Sequence, residues 1–203
     1  MKIIYQDENI LVINKPAGIN SDDFERRIHR LDKDTSGILL IAKNNKALKF
    51  LQKQFQERKV EKKYILLVSG NVKNNKGTIK ALLGRSPKDR RKQKVFSIHH
   101  PQAKGKRDSL TEYAVLKRFK DFTLIEATPK TGRKHQLRVH FAELSHPIAG
   151  DEIYSFKNQL IPEGLKRQFL HASYLKIKMP DEEIREFKSN LPKELKEILN
   201  NLN

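Results

Sequence analysis

Apolar residues fall in short runs punctuated by polar, proline and glycine clusters, the rhythm of a chain rich in strands with a few helices between them. Ile3 to Tyr5 and Ile10 to Asn14 flank Gln6-Asp7-Glu8-Asn9, which predicts a hairpin with a polar loop. Lys15-Pro16-Ala17-Gly18 then breaks the strand and leaves Lys15 projecting beside a turn. Ile38 to Ile41 is aliphatic and partly β-branched, an interior strand. Asn44 or Asn45 can cap a following helix whose Leu48, Leu51 and Phe55 share one face. Tyr64 to Val68 reads as a second buried strand, closed by Ser69-Gly70, and Thr78 to Leu83 as a third. Leu110 to Phe119 and Phe122 to Ala127 surround Lys120-Asp121 as an antiparallel hairpin. A loop from Thr131 enters a helix that turns Leu137, Phe141 and Leu144 to the core and Arg138 away from it. Tyr174 to Met179 alternates like a strand with one wet face. Pro180-Asp181 is expected to open helical chain, and Leu195, Ile198, Leu199 and Leu202 form a last amphipathic helix. No repeat and no long linker interrupts the chain, so one domain over residues 1–203 is expected.

Two polar stretches interrupt this pattern with concentrated charge. The first, HRLDKDTSG at 29 to 37, leads directly into the Ile38 strand. Extended chain there puts Arg30 and Asp32 on one side and Leu31 on the other, so Leu31 anchors while Asp32 is presented. An ordinary surface ion pair beside a turn fits that spacing as well as a reaction centre does. The second, TGRKHQLRVH at 131 to 140, gathers Arg133, Gln136 and His140 near a helix amino terminus, where an anion is favoured.

Charge sharpens the picture. With 42 Lys and Arg against 24 Asp and Glu the net charge is +18, an excess that calls for a polyanion, nucleic acid before an anionic membrane surface. The segment 84–95, GRSPKDRRKQKV, carries Arg85, Lys88, Arg90, Arg91, Lys92 and Lys94 against the single acid Asp89, and reads as a loop that tracks phosphate; Lys104, Lys106 and Arg107 extend it. No long apolar run suits a membrane, and MKIIYQDENILVINKP is neither a signal peptide nor a transmembrane segment, so a cytoplasmic protein with no membrane partner is expected. With no cysteine there is no disulfide or thiolate chemistry. His135, His140 and His146 lack an HExxH pattern or a carboxylate at ligand spacing, so no metal is expected.

Taken in order, NKPAG at 14 to 18, HRLDKDTSG, KKYILLVSG at 62 to 70, GRSPKDRRK at 84 to 92, TGRKHQLRVH, HPIAGDEIY at 146 to 154 and FLHA at 169 to 172 resemble the RluA family of pseudouridine synthases over nearly the whole chain. The resemblance implies an α+β fold, a mixed, mostly antiparallel sheet with flanking helices and a central basic cleft. It implies an isomerase that turns uridine into pseudouridine in ribosomal RNA, with transfer RNA as a second substrate class. A non-catalytic RNA chaperone or ribosome-assembly factor is the rival.

By the same resemblance Asp32 is the essential catalytic residue, Tyr64 lies against the target uracil, and Arg138 pairs with the aspartate. Arg30 intrudes where the uridine leaves the stack, and Leu170 lines the uracil pocket. Lys15, Arg85, Lys88, Arg90, Arg91, Arg133, His135 and Gln136 are assigned to RNA contact. The reaction has no redox change, so no cofactor is expected, and the protein is expected to be a monomer. The segment Ile19 to Ile28 is shorter than the family's usual connection, and no S4-type RNA-binding domain is expected, so binding is expected to come from the catalytic body itself.

Overall fold

The computed structural model describes residues 1–203 except Ile98, His100, Gln102 and Asn203. In chain order the elements are β1 (Lys2–Gln6), β2 (Ile10–Lys15), β3 (Ser36–Ala42), α1 (Asn45–Gln56), β4 (Glu61–Ser69), β5 (Lys76–Arg85), β6 (Gln93–Phe96), β7 (Arg107–Arg118), β8 (Phe122–Pro129), α2 (Gln136–Glu143), β9 (Leu170–Lys178), β10 (Ile184–Lys188) and α3 (Lys193–Asn200). They gather into two compact units, Met1–Tyr64 with Leu170–Pro192, and Ile65–Phe169 with Lys193–Asn203; β4 runs from the first into the second. The expected α+β class, strands mostly antiparallel with flanking helices, is borne out.

In the first unit the β1–β2 turn is set by Asp7, whose carboxylate Oδ1 accepts from the Asn9 and Ile10 amides, both at 2.7 Å. β2 pairs antiparallel with β1 and β3, and β10 with β9. β3 meets β9 in parallel, through Ser36 opposite His171 and Gly37 opposite Ala172. Farther along β3 the chain at Arg26 to His29 takes the open edge: the Ala42 amide donates to the Arg26 carbonyl at 3.0 Å, and the Ile28 amide to the Leu40 carbonyl at 3.0 Å. Asn44 caps α1 by accepting from the Ala47 amide at 2.8 Å, as its sequence position suggests.

Period-two alternation divides β2 and β3 between two cores. Ile10, Val12, Ile38 and Leu40 turn to one face, where Leu51 of α1, fully buried, adds about 2 kcal/mol of apolar burial. Ile13 and Leu39 turn to the other, with Leu31, Ala172 and the ring of Tyr64. The charged loop that precedes β3 is thereby anchored on the face that carries the tyrosine.

In the second unit β7 pairs antiparallel with both β5 and β8, and β6 pairs with β5. Val139 of α2 packs with Leu83 and Tyr154. Three expectations are corrected. The chain after Pro180 forms strand β10, because Arg185 and Phe187 fall into register with Ile177 and Leu175 and Phe187 is buried. The basic segment 84–95 is a hairpin, since Arg85 ends β5 and Gln93 opens β6. Leu144 caps the end of α2 and is 40% exposed, while Arg138 is buried.

Candidate active site

Leu31 is buried, Arg30 exposed and Asp32 half-buried, the alternation that extended chain predicts. What holds this stretch in place is a set of backbone contacts from neighbouring loops. Ser21 brackets Leu31, its Oγ donating to the Leu31 carbonyl at 2.8 Å and accepting from the Leu31 amide at 3.0 Å. The Gly18 amide donates to the Lys33 carbonyl at 3.0 Å, and the Asp32 carbonyl accepts from the Thr35 amide at 3.0 Å. Asp34 lies exposed in that turn.

Lys15 requires a correction. Expected to project toward RNA, it is fully buried, and its ammonium donates to the carbonyls of Pro16 (2.9 Å), Ile19 (2.8 Å) and Lys33 (2.9 Å). A buried cation must find acceptors, and these come from both loops, so Lys15 staples the NKPAG turn to the residue that follows Asp32. On the far side, Gly37 has φ of +119°, and a Cβ there would stand 2.2 Å from the Ala172 carbonyl oxygen; only glycine lets β9 approach so closely. Next to it, fully buried His171 sits between Ser36 Oγ (2.9 Å from Nδ1) and the Ser189 carbonyl (3.1 Å from Nε2). A carbonyl can only accept, so Nε2 carries a proton.

Tyr64 packs on Ile13, Leu31, Leu39 and Ala172. Burial first, and the negative charge of Asp32 second, push its phenol above its ordinary pKa, so that the hydroxyl stays protonated. Asp32, Tyr64 and Leu170, the last buried at the start of β9, all belong to the first unit. Beside the loop, His29 stacks on Phe55 with ring centroids 4.8 Å apart, and its Nε2 accepts from the Leu40 amide at 3.2 Å. Burial, then the charge of Lys62, lower its pKa to about 3. Burial also lowers the Lys62 amine to about 8; its ammonium lies 5.7 Å from the Phe55 ring centroid.

Arg138 lies in the second unit, and its partner comes from outside its own motif. Its Nε donates to Asp151 Oδ2 at 2.6 Å and an Nη to Asp151 Oδ1 at 2.9 Å, and both side chains are buried. Asp151 Oδ1 also accepts from the amides of Ile153 (2.9 Å) and Tyr154 (3.0 Å), and the guanidinium lies 5.3 Å from the Tyr154 ring centroid. A carboxylate therefore fixes the plane of the guanidinium while an aromatic ring packs on it. The sequence signal for this pair is an arginine between apolar Leu137 and Val139 on a helix buried nearly all round, which needs an acid, and the HPIAGDEIY turn supplies one.

Around it, one more expectation of RNA contact is corrected. Gln136 is buried with its amide engaged: Oε1 accepts from Thr131 Oγ at 2.6 Å and the Arg133 amide at 3.0 Å, and Nε2 donates to the Leu110 carbonyl and Thr111 Oγ, each at 3.0 Å. It shapes the loop and has no donor left to offer. His135, in the left-handed region at φ 55°, meets the Tyr154 hydroxyl at 3.0 Å and so braces the ring under Arg138. Arg133 is half-buried, its Nε donating to the Asp108 carbonyl at 2.9 Å. His140 is fully buried between Ser109 Oγ (2.8 Å) and Thr111 Oγ (3.0 Å), and burial lowers its pKa to about 4. Arg85, Lys88, Arg90 and Arg91 are exposed, but Arg91 grips Asp89 through two bonds of 3.1 and 2.9 Å. Among the described residues there is no group of three or more His, Asp or Glu side chains that could hold a metal ion, and no helix long and apolar enough to cross a membrane.

A family model described as RNA pseudouridylate synthase matches residues 25–143. Human RNA Pseudouridylate Synthase Domain Containing 1 superposes with a TM-score of 0.83 at 30% identity, covering 94% of this chain and 83% of that one. The chain belongs to the RNA pseudouridylate synthase family. Among curated relatives, an uncharacterized RNA pseudouridine synthase of Aquifex aeolicus is 40% identical over 81% of this chain, which spans 59% of that protein's length. Ribosomal large subunit pseudouridine synthase D of Borreliella burgdorferi is 37% identical over 98% of this chain, which spans 68% of its length.

Proposed function

We propose that this protein isomerises uridine to pseudouridine in RNA, with large-subunit ribosomal RNA as substrate and Asp32 as the essential residue. The observation that carries the reading is the Asp32 loop: a half-buried carboxylate on backbone pinned by Lys15, Ser21 and Gly18, its charge felt by the half-buried Tyr64. The name of the Borreliella relative supports ribosomal RNA over transfer RNA.

In the reaction the N1–C1′ bond breaks, the uracil turns in place, C5 joins C1′, the C5 proton leaves and N1 takes one up. Atoms and electrons balance without an oxidant or reductant. Asp32 serves as nucleophile at C1′ or as base at C2′. Tyr64, kept protonated, supplies a ring to hold the uracil and a hydroxyl that donates; a phenolate to collect the C5 proton is disfavoured. Arg138 contributes a guanidinium held in one plane by Asp151. Flipping the target costs about a few kcal/mol. Arg30, with 64% of its side chain exposed, is placed to fill the gap left in the stack.

The test is tritium release from RNA carrying 5-tritiated uridine. Wild type should release tritium and Asp32→Asn should lose at least roughly 10³-fold in rate. Equal release by both proteins, or none by wild type from any cellular RNA, would leave an RNA chaperone without chemistry as the better reading.

A further inference from the structure

The FLHA motif at 169 to 172 holds, beside Leu170, a histidine that the proposed reaction leaves without a task. His171 is fully buried on β9, 135 positions along the chain from Ser36, whose hydroxyl lies 2.9 Å from its Nδ1. Its Nε2 faces the Ser189 carbonyl at 3.1 Å, and Ser189 is itself fixed to β9, its amide donating to the Ser173 carbonyl at 2.8 Å. That carbonyl sets the tautomer. With the proton on Nε2, the neutral ring presents only a lone pair at Nδ1, so the Ser36 hydroxyl donates to it. The place of Ser36 gives this bond its reach. The Thr35 amide closes a turn on the Asp32 carbonyl at 3.0 Å, and Ser36 is the next residue. On its amino-terminal side the loop is pinned by Ser21 at Leu31 and by Gly18 and Lys15 at Lys33. On its carboxy-terminal side Thr35 and Ser36 are both buried, and the chain meets β9 in a parallel pairing only two residues long, Ser36 opposite His171 and Gly37 opposite Ala172. The side-chain bond reinforces the first position of that short ladder.

We propose that His171 is a positioning residue for the reaction: through Ser36 it holds the carboxy-terminal side of the Asp32 turn and so sets where the carboxylate stands against the ribose. The proposal rests on Asp32 being the reacting carboxylate and adds what keeps that carboxylate in place. His171 acts through another residue, and no proton of the reaction is routed through its buried ring. A serine hydroxyl committed to a buried imidazole keeps one orientation, where one facing water would sample several, so the bond removes freedom at the residue by which the chain leaves the turn. Misplacing a reacting group by about 1 Å costs up to about 10²-fold in rate. The loop is thereby gripped from both sides by distant parts of the chain, Lys15 and Ser21 before it and His171 after it.

The experiment separates the two ring nitrogens. In His171→Asn the side-chain oxygen falls where Nδ1 stands and keeps an acceptor for Ser36; in His171→Gln the amide reaches the Ser189 carbonyl from the place of Nε2, and Ser36 loses its acceptor. Measured by tritium release, Ser36→Ala and His171→Gln should each lower kcat by roughly 10²-fold at unchanged KM, and the double variant should be no slower than either. His171→Asn should recover most of that rate although its melting temperature falls as far as that of His171→Gln. A second readout needs no RNA: deuterium exchange at the Thr35 amide should quicken in Ser36→Ala and His171→Gln and stay near wild type in His171→Asn, with the Leu40 amide of β3 unchanged in all three. Ser36→Ala turning over at the wild-type rate overturns the proposal. So do Asn and Gln variants that lose rate in equal measure, the behaviour of a histidine that only fills the core. A wild type that released no tritium would defeat the reading of Asp32 itself, and the exchange measurement would still decide whether His171 holds the turn.

Discussion

Lys15 and Arg138 are both cations that the fold has buried, one in each unit, and they are buried in opposite ways. The Lys15 ammonium, a point charge with three rotatable donors, collects carbonyls from three places in the chain, Pro16, Ile19 and Lys33. The Arg138 guanidinium, a planar fork, is itself held by the carboxylate of Asp151 and the ring of Tyr154. Lys15 fixes chain; Arg138 is fixed by chain. A motif lysine can therefore organise a loop by holding its backbone, whereas a motif arginine can be aimed by a residue outside its own motif.

The largest expected effect comes from removing what aims the arginine. Asp151→Ala leaves a buried guanidinium without its bidentate carboxylate and should destabilise the protein by about 3–5 kcal/mol in urea unfolding. Asp151→Asn, which keeps an acceptor for one N–H, should cost less than half as much, yet both should slow tritium release. If Asp151→Asn turned over at the wild-type rate, orientation of Arg138 would not matter and the contrast with Lys15 would collapse.

Removing the organiser comes next. Lys15→Met keeps the length of the side chain but orphans three acceptors, each costing roughly 1–3 kcal/mol, partly offset by relief from burying an ammonium. A net loss of about 3 kcal/mol is expected, with turnover falling because Lys33, next to Asp32, is released. RNA affinity at a fixed salt concentration should barely move, and a selective loss of affinity with stability intact would return Lys15 to the RNA surface.

These two residues also mark where the sequence was legible. Spacing alone was enough for the β1–β2 hairpin, the Asn44 cap, the inward Leu31 and the presented Asp32, because each depends on neighbours within a few positions. The fate of Lys15 depended on carbonyls that a turn and a second loop happen to aim at it, and carbonyls carry no sequence signature. Gln136 looked like an amide donor at a helix end, yet the strand residues Leu110 and Thr111 absorb it. The strand at Ile184 was hidden by Pro180-Asp181, since its pairing is decided by register with β9 and not by its own polar-rich sequence. Family resemblance supplied roles for Asp32, Tyr64 and Arg138; the partners that hold those side chains became visible only in the folded chain.

The smallest effect uses one imidazole from each unit. His29, set in the first unit with a pKa of about 3, and His140, set in the second with a pKa of about 4, are both held below the ordinary value of 6.5, chiefly by burial. Between those values and 6.5 the unfolded chain binds protons that the folded protein refuses, so stability rises with pH through that window. It is fully present above 6.5 and is lost as pH falls toward 4. Burial of His140 alone should then contribute a loss of about 2 kcal/mol between pH 6.5 and pH 4. Unfolding free energies measured across that range should show His29→Gln and His140→Gln each flattening the dependence, and the double variant nearly abolishing it. Because His29 lies next to Arg30 and close to the Asp32 loop, its protonation should also reduce tritium release, whereas protonation of His140 should act on stability alone. A pH profile of turnover that His29→Gln leaves unchanged would show that the loop is held by Lys15 and Ser21 without help from the imidazole beside it.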